Sequence, residues 1–430
     1  MRVLVVGGGA REHALISRLV ADTDVEQVLC APGNPGISRL AITVPHAGAS
    51  AADLDALLAL AEGERVDLTI VGPELPLSLG IVDRFVAAGR LIFGPTAAAA
   101  RLESSKAFAK AFMTRHQVPT ARFHTAESLD EARRVVRSSE FGFPVVLKAD
   151  GLAAGKGVVI APDLPVAEAA VTAAMSEGKF GAAGDYLVIE ECLTGPEVSF
   201  FVVCDGTRAV PIGSAHDHKR IFDDDRGPNT GGMGAFAPSP LVDAALEARI
   251  MNDIVNPVVR GMHEEGDAFR GFLYVGLMLT AGGPKVIEFN VRLGDPEAQV
   301  VLPLIREPLL PLLVAAARGD SRQSAIRLGS ERLVGVVIAS RGYPESSQSG
   351  QPIRGIEAAE AIPGVSVYHA GTAERRGQLV TAGGRVLTVV GGGVDFSQAI
   401  ARAYAGVAHI SFEGMQYRHD IGRRALQSAV

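Results

Sequence analysis

Along the first hundred residues, short β-branched apolar runs alternate with amphipathic stretches, and each run ends in a Gly/Pro turn. Val3–Val6 leads into Gly7-Gly8-Gly9, Val25–Cys30 into Ala31–Gly36, Leu68–Val71 into Gly72-Pro73-Glu74, and Leu91–Phe93 into Gly94-Pro95-Thr96. This alternation predicts βαβ units on a parallel sheet, with ligands outside the C-terminal strand ends where the four turns would gather. From about Arg101 the pattern changes. A helix carrying Lys106, Phe108, Phe112 and Met113 is followed by runs at Phe143–Ala149, Val158–Ala161, Tyr186–Cys192 and Val198–Val203. These predict long strands of an antiparallel or mixed sheet, joined by glycine turns rather than by helices. Phe272–Leu279 and Pro284–Val291 flank Thr280-Ala281-Gly282-Gly283, a hairpin signal. A Pro-punctuated helical stretch, Asp295–Arg318, ends in the polar segment Gly319–Ser324. Runs at Leu333–Ala339, Val365–Tyr368 and Arg385–Val390, with a helix near Phe396–Ala405, make a last α+β unit. Three units are therefore expected, over 1–101, 102–324 and 325–430.

Composition narrows the class of protein. With 430 residues, 47% hydrophobic and 21% charged, the chain is long enough for several cores and unlike a disordered one. Lys and Arg total 41 against 48 Asp and Glu, a net charge of −7 with no basic stretch, so nucleic acid is not expected as a partner. Cys30, Cys192 and Cys204 have neither zinc spacing nor an even count, which fits a reducing compartment. The run after Met1-Arg2 is too brief for a signal-peptide core, and Pro308–Ala317 is too short to span a membrane. The expected location is the cytoplasm.

Five segments carry candidate chemistry. Gly7-Gly8-Gly9-Ala10-Arg11-Glu12 sits between a strand and a helix, where backbone N–H groups bind phosphate. Glu12 replaces the third glycine of a dinucleotide fingerprint and would oppose a pyrophosphate, so a single phosphate suits the turn better than NAD, and a plain connector is the competing reading. Lys148–Val158 places three glycines, Gly151, Gly155 and Gly157, and the two lysines Lys148 and Lys156 between two strands, a composition suited to a triphosphate. The GxxxGKG spacing leading into a strand excludes a Walker A loop. Glu190 and Glu191 are adjacent on a strand, so only one can face a site. Glu288 and Asn290 are two apart and share a face, with Arg292 following; hard oxygen donors of this kind suit Mg²⁺, and the arginine could neutralise phosphoryl oxygens. His216-Asp217-His218-Lys219-Arg220 and the following Asp223–Gly234 read as a charged, substrate-handling loop; the two histidines lack a third zinc ligand.

Taken together these segments resemble the phosphoribosylamine–glycine ligase, or glycinamide ribonucleotide synthetase, family of the ATP-grasp superfamily. The likeness runs nearly end to end, through Gly9–Ala14, Ala31–Asn34, Val71–Glu74, Phe93–Thr96, Ser105-Lys106, Lys148–Gly157, Asp217–Arg220, Gly227–Ala235, Glu288–Asn290 and Gly294–Glu297. Ala10 stands where the family more often has Gly, and Val291 and Leu293 where it has Cys and Phe. The resemblance implies an α/β fold: an N-terminal parallel doubly wound, Rossmann-like domain, a central ATP-grasp fold of two α+β subdomains with a lid over about 122–193, and a small C-terminal α+β domain. It further implies ATP-dependent ligation of glycine to 5-phosphoribosylamine through glycyl phosphate, in purine biosynthesis, by a monomer. Another ATP-grasp carboxylate–amine ligase and a non-catalytic nucleotide sensor are the alternatives. The implied ATP contacts are Lys106, Lys148, the loop Gly151, Gly155, Lys156 and Gly157, and Glu190, Glu191, Leu193 and Glu197. Glu288 and Asn290 would hold Mg²⁺ or Mn²⁺, and Arg292, Lys219 and Asp217 would act in catalysis. Gly9, Asn34, Gly294, Asp295 and Pro296 would cradle the ribose phosphate.

Overall fold

The first five strands, β1 (Arg2–Gly7), β2 (Gln27–Pro32), β3 (Ile42–Thr43), β4 (Leu68–Val71) and β5 (Ile92–Phe93), form one parallel sheet in the order β3-β2-β1-β4-β5. The computed structural model describes residues 1–46, 48–151, 157–176 and 186–427. Val3 to Val6 are fully buried, as a central strand covered on both faces requires. The turn after β1 is closed by its own acidic residue. The Glu12 carboxylate folds back to accept the Gly9 N–H at 2.7 Å and the Arg11 Nε–H at 2.7 Å. A Cβ on Gly72 would come within 2.1 Å of that carboxylate, so glycine is what lets the β4 turn close over it.

A second sheet is antiparallel, in the order β6-β9-β7-β8, from β6 (Phe123–Ala126), β7 (Val145–Ala149), β8 (Val158–Ala161) and β9 (Leu187–Glu191). Here the expectation of strands without intervening helices is overturned. Leu129–Ser138 and Leu164–Met175 are helices, capped by Ser128 and Asp163, whose side chains accept the backbone N–H of Glu131 and Val166. They bury Ala132, Val135 and Val136, and Ala167, Val171 and Ala174, against the sheet.

The third sheet is larger. It takes in β10 (Glu197–Asp205), β11 (Ala209–Asp217), β14 (Gly234–Ala237), β15 (Arg270–Thr280), β16 (Gly283–Asn290), β17 (Arg332–Ala339), β18 (Val365–His369) and β21 (Arg385–Gly393). Their order is β16-β15-β10-β11-β14-β17-β21-β18. The predicted hairpin is β15–β16, and the C-terminal strands continue its sheet through the β14–β17 pairing. Two hairpins stand apart, β12 (Arg220–Phe222) with β13 (Arg226–Asn229), and β19 (Thr372–Arg375) with β20 (Gln378–Thr381). The expected charged loop is thus more ordered than its composition suggested. His216 and Asp217 belong to β11, opposite Phe236 and Ala235, and the His216 ring stacks on Phe236 at 4.8 Å. Among the described residues, no helix is long and apolar enough to cross a membrane.

One buried cation ties the β12–β13 hairpin to the end of the chain. Arg418, 1% exposed, pairs with Asp225 at 2.9 Å and Asp420 at 2.6 Å, and donates to the Arg220 carbonyl at 3.1 Å. Arg418→Met leaves Asp420 without its cation, and a loss of about 3 kcal/mol in unfolding free energy is expected. Chemical denaturation checks this; a loss under about 1 kcal/mol would mean water replaces the pair.

Candidate active site

A cleft of about 850 Å³ opens between the four-stranded sheet, the helix Lys106–Arg115, and the β16 end of the large sheet. At one end Glu190 of β9 is clasped by Lys148 of β7 and by Lys110 of that helix, all three side chains almost wholly buried. Lys148 Nζ also donates to the Ile287 carbonyl at 3.0 Å. Ile287 is the extra residue of a bulge, where the β15–β16 register slips between Gly276 and Leu277. Glu191 also lines the cleft but turns to other partners, Arg122 at 2.8 Å and Lys285 at 3.3 Å. The two glutamates therefore divide as strand alternation requires. Lys106 Nζ donates to the Gly151 carbonyl at 2.8 Å, and burial lowers its pKa against the pull of Glu288 and Asp150. Gly151, Gly157, Leu193 and Glu197 line the same cleft, whereas Gly155 and Lys156 lie outside the described residues.

At its middle, Glu288 and Asn290 reach the cleft from the end of β16 while Phe289 between them is buried. Burial works against the Glu288 charge, but Lys219, Lys148 and Lys106 outweigh it and keep its pKa below the usual carboxylate range. With its amide nitrogen turned to Glu103 Oε1 at 3.0 Å and the Phe289 carbonyl, Asn290 presents its oxygen on the other side. Among the described residues no three His, Cys, Asp or Glu groups form a closed metal cage. One carboxylate plus one amide oxygen fits a divalent ion that completes its shell with water and nucleotide phosphate. Arg292 sits beside them, paired with Glu103 at 3.1 Å and Glu74 at 3.3 Å and donating to the Leu293 carbonyl at 3.1 Å.

Beyond the middle, Lys219 is the cation in a group of acids, 3.0 Å from Glu197 and 3.7 Å from Glu288. Burial opposes its charge, yet Asp217 and Glu197 raise its pKa well above the ordinary lysine value. Asp217 is pushed up to about 7, by burial first and by Glu297, Glu197 and Glu288 against the pull of Lys219. Glu297 closes the floor, accepting a hydrogen bond from Ser199 Oγ at 3.2 Å; Ser199 in turn lies 3.1 Å from the Tyr274 hydroxyl. The arrangement offers a run of cations for polyphosphate, hard oxygen donors for a metal, and a carboxylate that changes charge near neutral pH.

Three family models together span most of the chain. They are the N domain of phosphoribosylglycinamide synthetase over residues 1–103, its ATP-grasp (A) domain over 104–298, and its C domain over 333–424. The chain belongs to the phosphoribosylglycinamide synthetase family. A phosphoribosylamine–glycine ligase of Xylella fastidiosa (strain Temecula1) is 50% identical over 428 residues, covering 99% of this chain and 98% of that protein. One from Brucella melitensis is 45% identical over 427 residues, covering 99% of each. The solved phosphoribosylamine–glycine ligase of Thermotoga maritima superposes with a TM-score of 0.85 at 34% identity, covering 98% of this chain and all of that one. Biotin carboxylase of Campylobacter jejuni shares the fold at 18% identity, with a TM-score of 0.75 over 99% of this chain and 95% of its own. Like the rest of the phosphoribosylglycinamide synthetase family, the chain is an ATP-dependent ligase built on the ATP-grasp fold.

Not every residue assigned to the phosphate cradle by resemblance reaches the cleft. Gly294 and Asp295 line it, with Asp295 paired to Arg385 at 3.2 Å and accepting from Gln299 at 2.8 Å. Pro296 packs under Gly232, where a Cβ would come within 2.3 Å of its ring. Gly9 gives its N–H to Glu12. Asn34 donates to the carbonyls of Gly8 at 2.9 Å and His369 at 2.8 Å and accepts from the N–H groups of Gly36 and Ile37, so its amide joins the N- and C-terminal parts. Sequence reasoning in turn missed Lys110, Glu297 and Arg385. Lys110 lies one helical turn after Lys106, a spacing that puts both ammonium groups on one face. Arg385 carries no local signal, since it meets Asp295 across 90 residues of chain.

Proposed function

We propose that the chain joins glycine to 5-phosphoribosylamine at the expense of ATP, giving glycinamide ribonucleotide, ADP and phosphate in purine biosynthesis. The observation that carries this reading is one cleft holding, in sequence, a lysine-lined polyphosphate end, a Glu288–Asn290 metal pair, and an Asp217–Lys219 acid–base pair. A carboxylate is a poor acyl donor, so a glycine carboxylate oxygen first attacks the γ-phosphorus and the bond to the ADP oxygen breaks. Lys106 and Lys148 hold the phosphates and Arg292 draws charge from the transferring group. The neutral amine of phosphoribosylamine then attacks the carbonyl carbon of glycyl phosphate; phosphate leaves, and ionised Asp217 accepts the amine proton. Glu190, Glu191, Leu193 and Glu197 surround the adenine and ribose. Gly294 and Asp295 meet the ribose phosphate, backed by Gly9, Asn34 and Pro296. Glu288 and Asn290 would hold Mg²⁺ or Mn²⁺, which neutralises β- and γ-phosphate oxygens when bound. No covalent enzyme intermediate is needed, because positioning and charge neutralisation supply the rate.

The division into 1–101, 102–324 with a lid near 122–193, and 325–430 is part of the proposal, as are a monomeric state and a cytoplasmic location. ADP release from purified protein, with ATP, Mg²⁺, glycine and phosphoribosylamine generated in place, tests it when each component is left out in turn. ADP is expected only from the full mixture. If ATP binds and the full mixture yields none, a sister ligase with another amine or a nucleotide sensor takes its place.

A further inference from the structure

One buried group on the cleft wall, where Lys148 of the proposed phosphate site meets Glu190 of the proposed adenine side, holds two cations and one anion. Lys110, Glu190 and Lys148 are 3%, 4% and 5% exposed and come from three separate elements, a helix, β9 and β7. One carboxylate oxygen of Glu190 pairs with Lys110 and the other with Lys148. Lys110 is anchored independently of Glu190, for its Nζ donates to Thr120 Oγ1 at 2.8 Å and that hydroxyl donates to the Val286 carbonyl at 2.8 Å. The Phe123 ring of β6 lies 5.4 Å from the same ammonium. Lys148 is differently placed. All three side chains line the cleft where the nucleotide is to be bound, but the other partner of Lys148 is a single carbonyl, so it is the less firmly anchored of the two cations.

A carboxylate buried to this degree is costly without a cation. On the proposed reading, on which this inference rests, Lys148 turns to a nucleotide phosphate, and Glu190 would then be left alone in a dry site. We infer that Lys110 is a positioning residue, the permanent counterion of Glu190, which frees Lys148 to pass from that carboxylate to the nucleotide phosphate. Without Lys110, Glu190 retains Lys148 and the phosphate loses its cation.

The groups facing Lys110 are Glu190 and Glu191 on β9 and Lys148 on β7, with the Thr120 hydroxyl and the Phe123 ring completing its surroundings. Burial brings its pKa down to about 8, against the pull of Glu190 and with the push of Lys148. Its charge is therefore lost just above neutral pH, and ATP affinity should weaken from about pH 8 upward.

Equilibrium binding of Mg²⁺–ATP to the full-length protein tests the inference without requiring turnover, so a failure of the ligase reading stays distinguishable from a failure here. Lys110→Met is expected to weaken ATP binding about tenfold or more. Lys110→Arg should bind within about threefold of the parent and move the alkaline onset to higher pH, because a guanidinium does not titrate in that range. Adding Glu190→Gln to Lys110→Met should recover part of the lost affinity, since a neutral amide no longer retains Lys148. Parental affinity in Lys110→Met, an unchanged alkaline onset in Lys110→Arg, or no recovery in the double variant would each overturn the inference.

Discussion

Glu288→Ala is expected to lower ADP formation roughly a thousandfold while the protein stays folded, since a metal-bearing carboxylate contributes several kcal/mol of charge stabilisation to phosphoryl transfer. The side chain emerges at the end of β16 with its polar atoms in the cleft, and the core beneath is made by its neighbours Val286 and Phe289, 0% and 2% exposed. Removing the carboxylate opens no cavity in that core, so melting within about 2 °C of the parent is expected. The charge matters because Glu288 is ionised at neutral pH, held so by Lys219, Lys148 and Lys106 against its burial. Turnover and melting measured on one preparation decide the matter. Near-parental turnover at saturating Mg²⁺ would remove Glu288 from the metal site, and a collapsed melting curve would make it a structural residue.

Asp217 gives the second large effect, through pH. Its carboxyl loses a proton near pH 7, and a group that accepts the amine proton must be ionised. The apparent kcat/KM for phosphoribosylamine should therefore rise with pH through about 7 and level off above it. Asp217→Asn should cut the plateau by roughly a hundredfold or more and abolish the rising limb. Stability carries the opposite sign. A carboxyl whose pKa is raised by folding favours the folded state at low pH, and this contribution fades as pH rises from the unfolded value, about 4, towards 7. At pH 8 the asparagine variant should thus melt at or above the parent while working far more slowly. A parental pH profile in the variant would assign the limb to another group.

Much of this was legible in the residues because strands alternate. Glu288 and Asn290, two apart, do share the cleft, and Glu190 and Glu191 turn to different partners, Lys110 and Lys148 for the first and Arg122 and Lys285 for the second. The parallel N-terminal sheet was equally plain, since strands buried on both faces leave unbroken apolar runs. What the chain concealed were pairings between distant residues. β6 meets β9 some 60 residues on, and the two helices between the strands of that sheet are signalled only by their caps, Ser128 and Asp163. Lys110 is inconspicuous because Phe108, Phe112 and Met113 around it spell a core-facing helix. Nor does the sequence show that Gly9 and Asn34 meet partners within the chain: Gly9 gives its N–H to Glu12, and the Asn34 amide donates to the carbonyls of Gly8 and His369.

The unbroken sheet from β16 to β18 sets a limit on modularity. β14 is only four residues long, yet among the described residues it is the strand that joins the ATP-grasp part of this sheet to its C-terminal part, with Gly234–Ala237 paired to Leu333–Val336. Severing the chain before β17 would leave β14 a bare edge, its open N–H and C=O groups ready to recruit a foreign strand. The C-terminal segment thus serves as a selvedge, finishing the weave on which Asp217 and Lys219 are displayed. Shuffling it between relatives would require exchanging β14 along with it.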